Sequence, residues 1–171
     1  MGPVSAEIEI DAPREEIFAV LADLAARPSF TDHFLTRFHL TRIDPVGIGA
    51  GARFCVKAPL RKVWMDSAIV SLEEPFQIVE EGEAGRGNRI RSHLVWELRE
   101  GPGPLCTVRV SHWTEPTAVD RVLELLSGGS FWLERGWRQA LRRLRDQIES
   151  ERPIADRVAV AGGNRYATGI P

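Results

Sequence analysis

The hydrophobic pattern changes period near the start of the chain. Val4, Ala6, Ile8 and Ile10 alternate with Ser5, Glu7 and Glu9, the period-2 signature of a strand with one buried face. Asp11 and Ala12 lead into Pro13, a residue suited to a first helical position, and Glu15 and Glu16 suit the positive end of a helix dipole. Ile17, Val20, Leu21 and Leu24 then recur at helical spacing. The pattern predicts a strand running directly into a short helix.

Arg27-Pro28 breaks that helix, and residues 29–35 predict a second short one with Phe30 and Phe34 four apart. Residues 36–43 alternate again. Pro45 to Gly51 is rich in turn residues, but lacks the following helix and the ending of a phosphate loop. Strand patterns follow at 52–58, 62–72, 76–83, 88–99 and 105–114, separated at Pro59, Glu74-Pro75, Gly82 to Gly87 and Gly101 to Pro104. No helix long enough for a parallel crossover lies between them, so the sheet is expected to be antiparallel, with seven strands.

Residues 117–126 read as helical, with Val119, Val122, Leu123 and Leu126 on one side, and Ser127 to Ser130 interrupt. A long helix is expected from Phe131 to Ser150, carrying Leu133, Trp137, Ala140, Leu141, Leu144 and Ile148 on one stripe. Twenty residues of helix span ~30 Å, enough to cross a small sheet. The expected fold is α+β: a curved seven-stranded antiparallel sheet wrapped around a long C-terminal helix, with two short helices after the first strand. Residues 1–150 form the domain in this reading, and 151–171 an irregular, Gly-containing tail.

A chain of 171 residues, 43% hydrophobic and 27% charged, suits one globular domain. The formal net charge of -2 gives no reason to expect nucleic acid as a partner. Arg135, Arg138, Arg142, Arg143 and Arg145 cluster, but Glu134, Asp146, Glu149 and Glu151 offset them, as on a solvated helix face. Cys55 and Cys106 stand apart without metal-type spacing and read as small buried residues. No apolar run approaches the length of a membrane span, and the N-terminal residues lack the pattern of a signal peptide. A cytoplasmic location is expected; oligomeric state is not legible.

Candidate chemistry comes from the faces of the strands. In 88–99 the even positions Ile90, Ser92, Leu94, Trp96 and Leu98 form the apolar, inward face. In 105–114 the same register holds Cys106, Val108, Val110, His112 and Thr114, which carries a histidine and a threonine inward. The faces of 62–72 are less distinct, with Trp64, Asp66, Ala68, Val70 and Leu72 opposing Val63, Met65, Ser67, Ile69 and Ser71. Buried polar groups require partners. His112, Asp66 and Ser92 are therefore read as groups that meet a ligand or move protons; alternatively, His112 and Asp66 satisfy each other or backbone groups and specify the fold, or Asp66 faces solvent. Trp64, Trp96 and Trp137 are candidate pocket walls. Trp113 takes the outer register, and Trp132 sits beside the glycine break. No GxSxG, SxxK, HExxH or dinucleotide fingerprint is present, and no metal or cofactor is expected.

The run Ile8 to Asp23, the segment Glu73-Glu74-Pro75-Phe76, the strand His93 to Arg99 and the long terminal helix resemble the START-like superfamily (SRPBCC), in its bacterial polyketide cyclase/dehydrase and lipid-transport branch. The resemblance covers roughly residues 3–150. It implies a helix-grip fold with a hydrophobic cavity between sheet and helix. Function varies widely across that superfamily, from lipid carriers and cyclases to hormone receptors and chaperone co-activators. The leading expectation is a module that binds a small hydrophobic molecule (a lipid, isoprenoid or polyketide) through Trp64, Ser92, Trp96, His112, Thr114 and Trp137. The alternatives are a cyclase or dehydratase in which His112 or Asp66 moves protons, and a protein–protein module with a filled core.

Overall fold

The computed structural model describes residues 3–57, 62–85, 87–101, 105–115 and 129–150. β1 (Val4–Asp11) leads into α1 (Arg14–Ala22) and α2 (Pro28–Thr31). The meander follows as β2 (Leu35–Leu40), β3 (Gly51–Lys57), β4 (Lys62–Glu73), β5 (Gln77–Ala84), β6 (Ile90–Glu100) and β7 (Leu105–Glu115), and α3 (Gly129–Glu149) closes the described chain. The seven strands form one sheet in the order β1-β7-β6-β5-β4-β3-β2. Every neighbouring pair is antiparallel. The first strand returns to pair with the last, so that consecutive hairpins need only short turns while β1 delivers the helices to one face. The expected helical segment 117–126 and the tail 151–171 lie outside the described residues.

The second short helix is shorter than the sequence pattern predicts. It ends at Thr31, and Phe34 lies in the turn before β2. Phe30 and Phe34 are both buried, so the four-residue spacing marks a shared core rather than a continuous helix. Phe34 packs edge-on against Trp137 at 5.0 Å, and a side chain at Gly136 would come within 2.8 Å of the Phe34 ring. The close approach of that turn to α3 therefore requires glycine.

The inner face of the sheet follows the alternation. Ile10, Phe54, Ile69, Ile78, Leu94, Trp96, Val108 and Val110 are buried, together with Trp137, Ala140, Leu141 and Leu144 of α3. α3 packs on β1 and α2, and its far end is tied down where Glu149 accepts a 3.0 Å hydrogen bond from the Asp11 amide. On the α2 side, Arg143 pairs with Asp32 and donates to the Ser29 carbonyl at 3.1 Å. This is a helix-grip arrangement. No helix among the described residues is long and apolar enough to cross a membrane.

One backbone contact in the middle of the sheet is exceptionally close. A side chain at Gly82 would stand 1.8 Å from the Asp66 carbonyl oxygen of β4, an atom that cannot rotate away. Gly82→Ala is expected to cost about 3 kcal/mol or more, because β4 and β5 would have to separate. Urea unfolding measures this; a change within about 0.5 kcal/mol, the range of ordinary surface substitutions, would contradict the tight register.

Candidate functional site

Two polar clusters occupy the otherwise apolar inner face. The first centres on His112 of β7. Its ring is buried, and both nitrogens are engaged: Trp137 Nε1 of α3 donates to Nδ1 at 3.2 Å, and Nε2 stands 3.0 Å from Ser92 Oγ of β6. The indole N–H can only donate, so Nδ1 must be the unprotonated nitrogen. Nε2 then carries the proton and donates to Ser92, whose own hydrogen is directed to Met65 Sδ of β4 at 3.5 Å. Ser92 reaches Met65 across β5, whose residues at that level are Gly82 and Ala84.

Burial, with a smaller contribution from repulsion by His93, lowers the His112 pKa to about 4. Geometry requires the same state, since a proton on Nδ1 would face the Trp137 N–H. The ring is neutral at physiological pH and has no free lone pair. In this state it accepts from Trp137 and donates to Ser92.

The second cluster centres on Glu80 of β5. Its Oε1 accepts from Arg27 Nη2 at 2.7 Å and from Trp96 Nε1 at 3.1 Å, while Oε2 accepts from Ser67 Oγ at 3.0 Å. Arg27, between α1 and α2, also donates to the Leu21 carbonyl at 2.9 Å and lies 4.8 Å over the Trp96 ring. Both members of this ion pair are almost wholly enclosed, at 2% and 3% side-chain exposure. Period-2 reading from Ile78 through Glu80 to Ala84 would have placed Glu80 inward, but the acidic run Glu80-Glu81 masks it. Arg27 gives no comparable signal, because it sits at a chain break where no periodicity applies.

The two clusters meet through the indoles. Trp96 and Trp137 contact edge to face at 5.5 Å, one donating to Glu80 and the other to His112. Ser92, Trp96, His112 and Trp137 are thus brought together in the interior. Thr114 lies half-buried opposite Ser92 in the register of β6 and β7.

Two expected site residues belong elsewhere. In β4 it is Met65 and Ile69 that are buried, so the register that puts these odd positions inside sends Trp64 and Asp66 to the outer surface. There Asp66 faces Arg53 at 3.5 Å, and Trp64 packs beneath Arg53 and beside His39. Asp66 cannot move protons inside the grip, and Trp64 cannot line it. Trp113 is also on the outer face, stacked on His93 at 5.1 Å. Among the described residues, no group of three or more His, Cys, Asp or Glu is placed to hold a metal.

The family described as polyketide cyclase / dehydrase and lipid transport matches residues 1–149. The chain belongs to that family. Among solved structures, TTHA0849 from Thermus thermophilus is similar with a TM-score of 0.68 at 17% identity, over 88% of this chain and 99% of that one. A START superfamily protein from Mycobacterium smegmatis is similar with a TM-score of 0.59 at 16% identity, over 86% and 99%. DR_A0006 from Deinococcus radiodurans gives 0.59 at 21%, over 87% and 98%. At these identities the likeness is one of fold. No curated protein matches the chain in sequence.

For this polyketide cyclase/dehydrase family member, the buried groups make two measurable demands. His112 binds a proton in the unfolded chain near pH 6.5 but in the folded protein only near pH 4. Its contribution is therefore complete above pH 6.5 and is lost as pH falls towards 4, by about 3 kcal/mol in all. Urea unfolding across that window should show the loss, and His112→Gln should remove that part of the acid dependence. An unchanged slope in the variant would reject the neutral-ring assignment. For the ion pair, Glu80→Leu alone should cost about 3–5 kcal/mol by stranding the Arg27 charge, whereas Arg27→Met with Glu80→Leu should recover most of it. Additive losses in that double-mutant cycle would mean that the pair is not coupled.

Proposed function

We propose that this protein holds a small, largely apolar molecule between the inner face of the sheet and α3, as a binding module and not through proton-transfer chemistry. Membership of a family whose description joins polyketide cyclase/dehydrase and lipid transport supports a ligand-binding or cyclase-type role. The observation that carries the reading is the Trp96–Trp137 contact with a polar cluster on either side. An interior selected for stability alone is served as well by apolar residues of similar volume. Polar groups set in an apolar wall serve to orient a guest: the wall supplies affinity, and a few fixed dipoles select its polar end. Ser92, Trp96, His112 and Trp137 form that wall in this reading, with Thr114 at its margin.

A cyclase-type step through His112 or Asp66 has less support. His112 has both nitrogens engaged and a pKa well below neutral, and Asp66 faces outward. The test is native mass spectrometry of freshly purified protein, with organic extraction of whatever is released, followed by titration with the neutral dye phenylnaphthylamine. A discrete small-molecule adduct is expected, and dye binding should perturb the emission of Trp96 and Trp137 and weaken in Trp137→Phe. A clean apo mass together with absent dye binding would overturn the reading and favour a filled core that meets protein partners.

A further inference from the structure

Arg27 makes a demand that the ion pair does not meet. Its Nε is enclosed and has no hydrogen-bond partner among the described residues, although Nη2 is doubly engaged. Three other side-chain nitrogens share that condition: Arg14 Nε, His93 Nε2 and Gln147 Nε2. Those belong to side chains that reach the surface: Arg14 is 13% and His93 19% exposed, and Gln147 is half-buried. Arg27 does not, at 2%. An unmet N–H on a buried cation is among the more expensive defects a core can carry. The Trp96 ring under the guanidinium offsets charge, but a ring face does not replace an acceptor in the guanidinium plane.

Charge decides what that acceptor is. Glu80 already neutralises Arg27, and His112 is neutral, so the described interior carries no net charge. A carboxylate or phosphate brought to Nε would leave one uncompensated negative charge in a low-dielectric site. A carbonyl oxygen would satisfy the donor without adding charge. We propose that Arg27 Nε is the subsite that reads the polar end of the ligand, and that it selects a neutral oxygen acceptor (a ketone, ester or amide carbonyl) against the corresponding acid. The inference rests on the ligand-binding reading above. Ser67 and Trp96 then act as positioning residues, since by holding Glu80 they fix the plane of the guanidinium.

The experiment uses two matched series on the full chain, one planar (acetylnaphthalene, ethylnaphthalene, naphthoate) and one linear (a long-chain methyl ketone, its alkane and its fatty acid). Affinities come from dye displacement, and the Arg27 Nε–H resonance is followed by nitrogen-15 NMR. The ketone should bind about tenfold or more tightly than its hydrocarbon, the worth of one hydrogen bond to a charged donor. The acid should bind more weakly than the ketone, and the Nε–H resonance should shift with the ketone alone. Arg27→Lys keeps the charge beside Glu80 but deletes the Nε donor, so hydrocarbon affinity should persist while the ketone preference disappears. Equal affinities, preference for the acid, or a ketone that binds without moving the resonance would overturn the subsite and leave ligand binding intact. If no member of either series binds, both readings fall. The NMR measurement is made on the wild-type protein and decides the matter even if Arg27→Lys does not fold.

Discussion

The interior is organised by the edge-to-face contact of Trp96 with Trp137. One indole comes from the sheet and the other from the helix, so the contact sets how deeply α3 sits in the grip. Each ring has a single N–H, and burial obliges each to find an acceptor. Trp96 finds Glu80 and Trp137 finds His112. Moving the helix along the sheet would break a hydrogen bond as well as an aromatic contact. Apolar packing alone would tolerate several nearby positions; the two indole donors narrow them to one.

The two clusters solve the problem of buried polarity in opposite ways. His112 gives up its charge: desolvation depresses its pKa, and the Trp137 N–H occupies the lone pair that a proton would need. Glu80 and Arg27 keep theirs and neutralise each other, with three donors in all reaching the carboxylate. The strand ladder makes both solutions possible. Glu80 and Trp96, Glu80 and Ser67, and Ser92 and His112 are diagonal neighbours on adjacent strands, within reach of long side chains on one face. Changing the register by one residue would send all of these groups outward together.

How much of this was legible follows from what periodicity encodes. The seven strands, their antiparallel order and the long helix are carried by alternation and spacing over many residues, and they appear in the structure with small shifts at their ends. The inward register of β6 and β7 was equally plain, because Leu94, Trp96, Val108 and Val110 leave no doubt which face is apolar, and Ser92 and His112 follow by parity. β4 was not plain. Its two faces are about equally apolar in composition, so parity alone could not separate Trp64 and Asp66 from Met65 and Ser67. The decision lay with β3 and β5, whose side chains the β4 residues meet. Arg27 and Glu80 escaped for a further reason. A charged residue reads as solvent-facing until its partner is known, and this pair is separated by fifty-three positions.

Aromatic content by itself was an ambiguous guide, and the outer face shows why. Trp64 lies under the Arg53 guanidinium and beside His39, and Trp113 stacks on His93, which is flanked by Glu81 and Glu115 at 3.5 and 3.6 Å. These rings are covered by a cross-strand cation and imidazoles, so partial exposure costs them little. Trp96 and Trp137 are enclosed instead, and take their partners, Arg27 and Glu80 for one and His112 for the other, from the interior. The same residue type thus performs two tasks in one sheet, and the neighbours on the adjoining strands decide which. Because the frame needs only alternation and a few close backbone approaches, such as that at Gly82, those neighbours can vary while the fold persists. On the proposed reading, ligand preference is set by the polar interior of the grip.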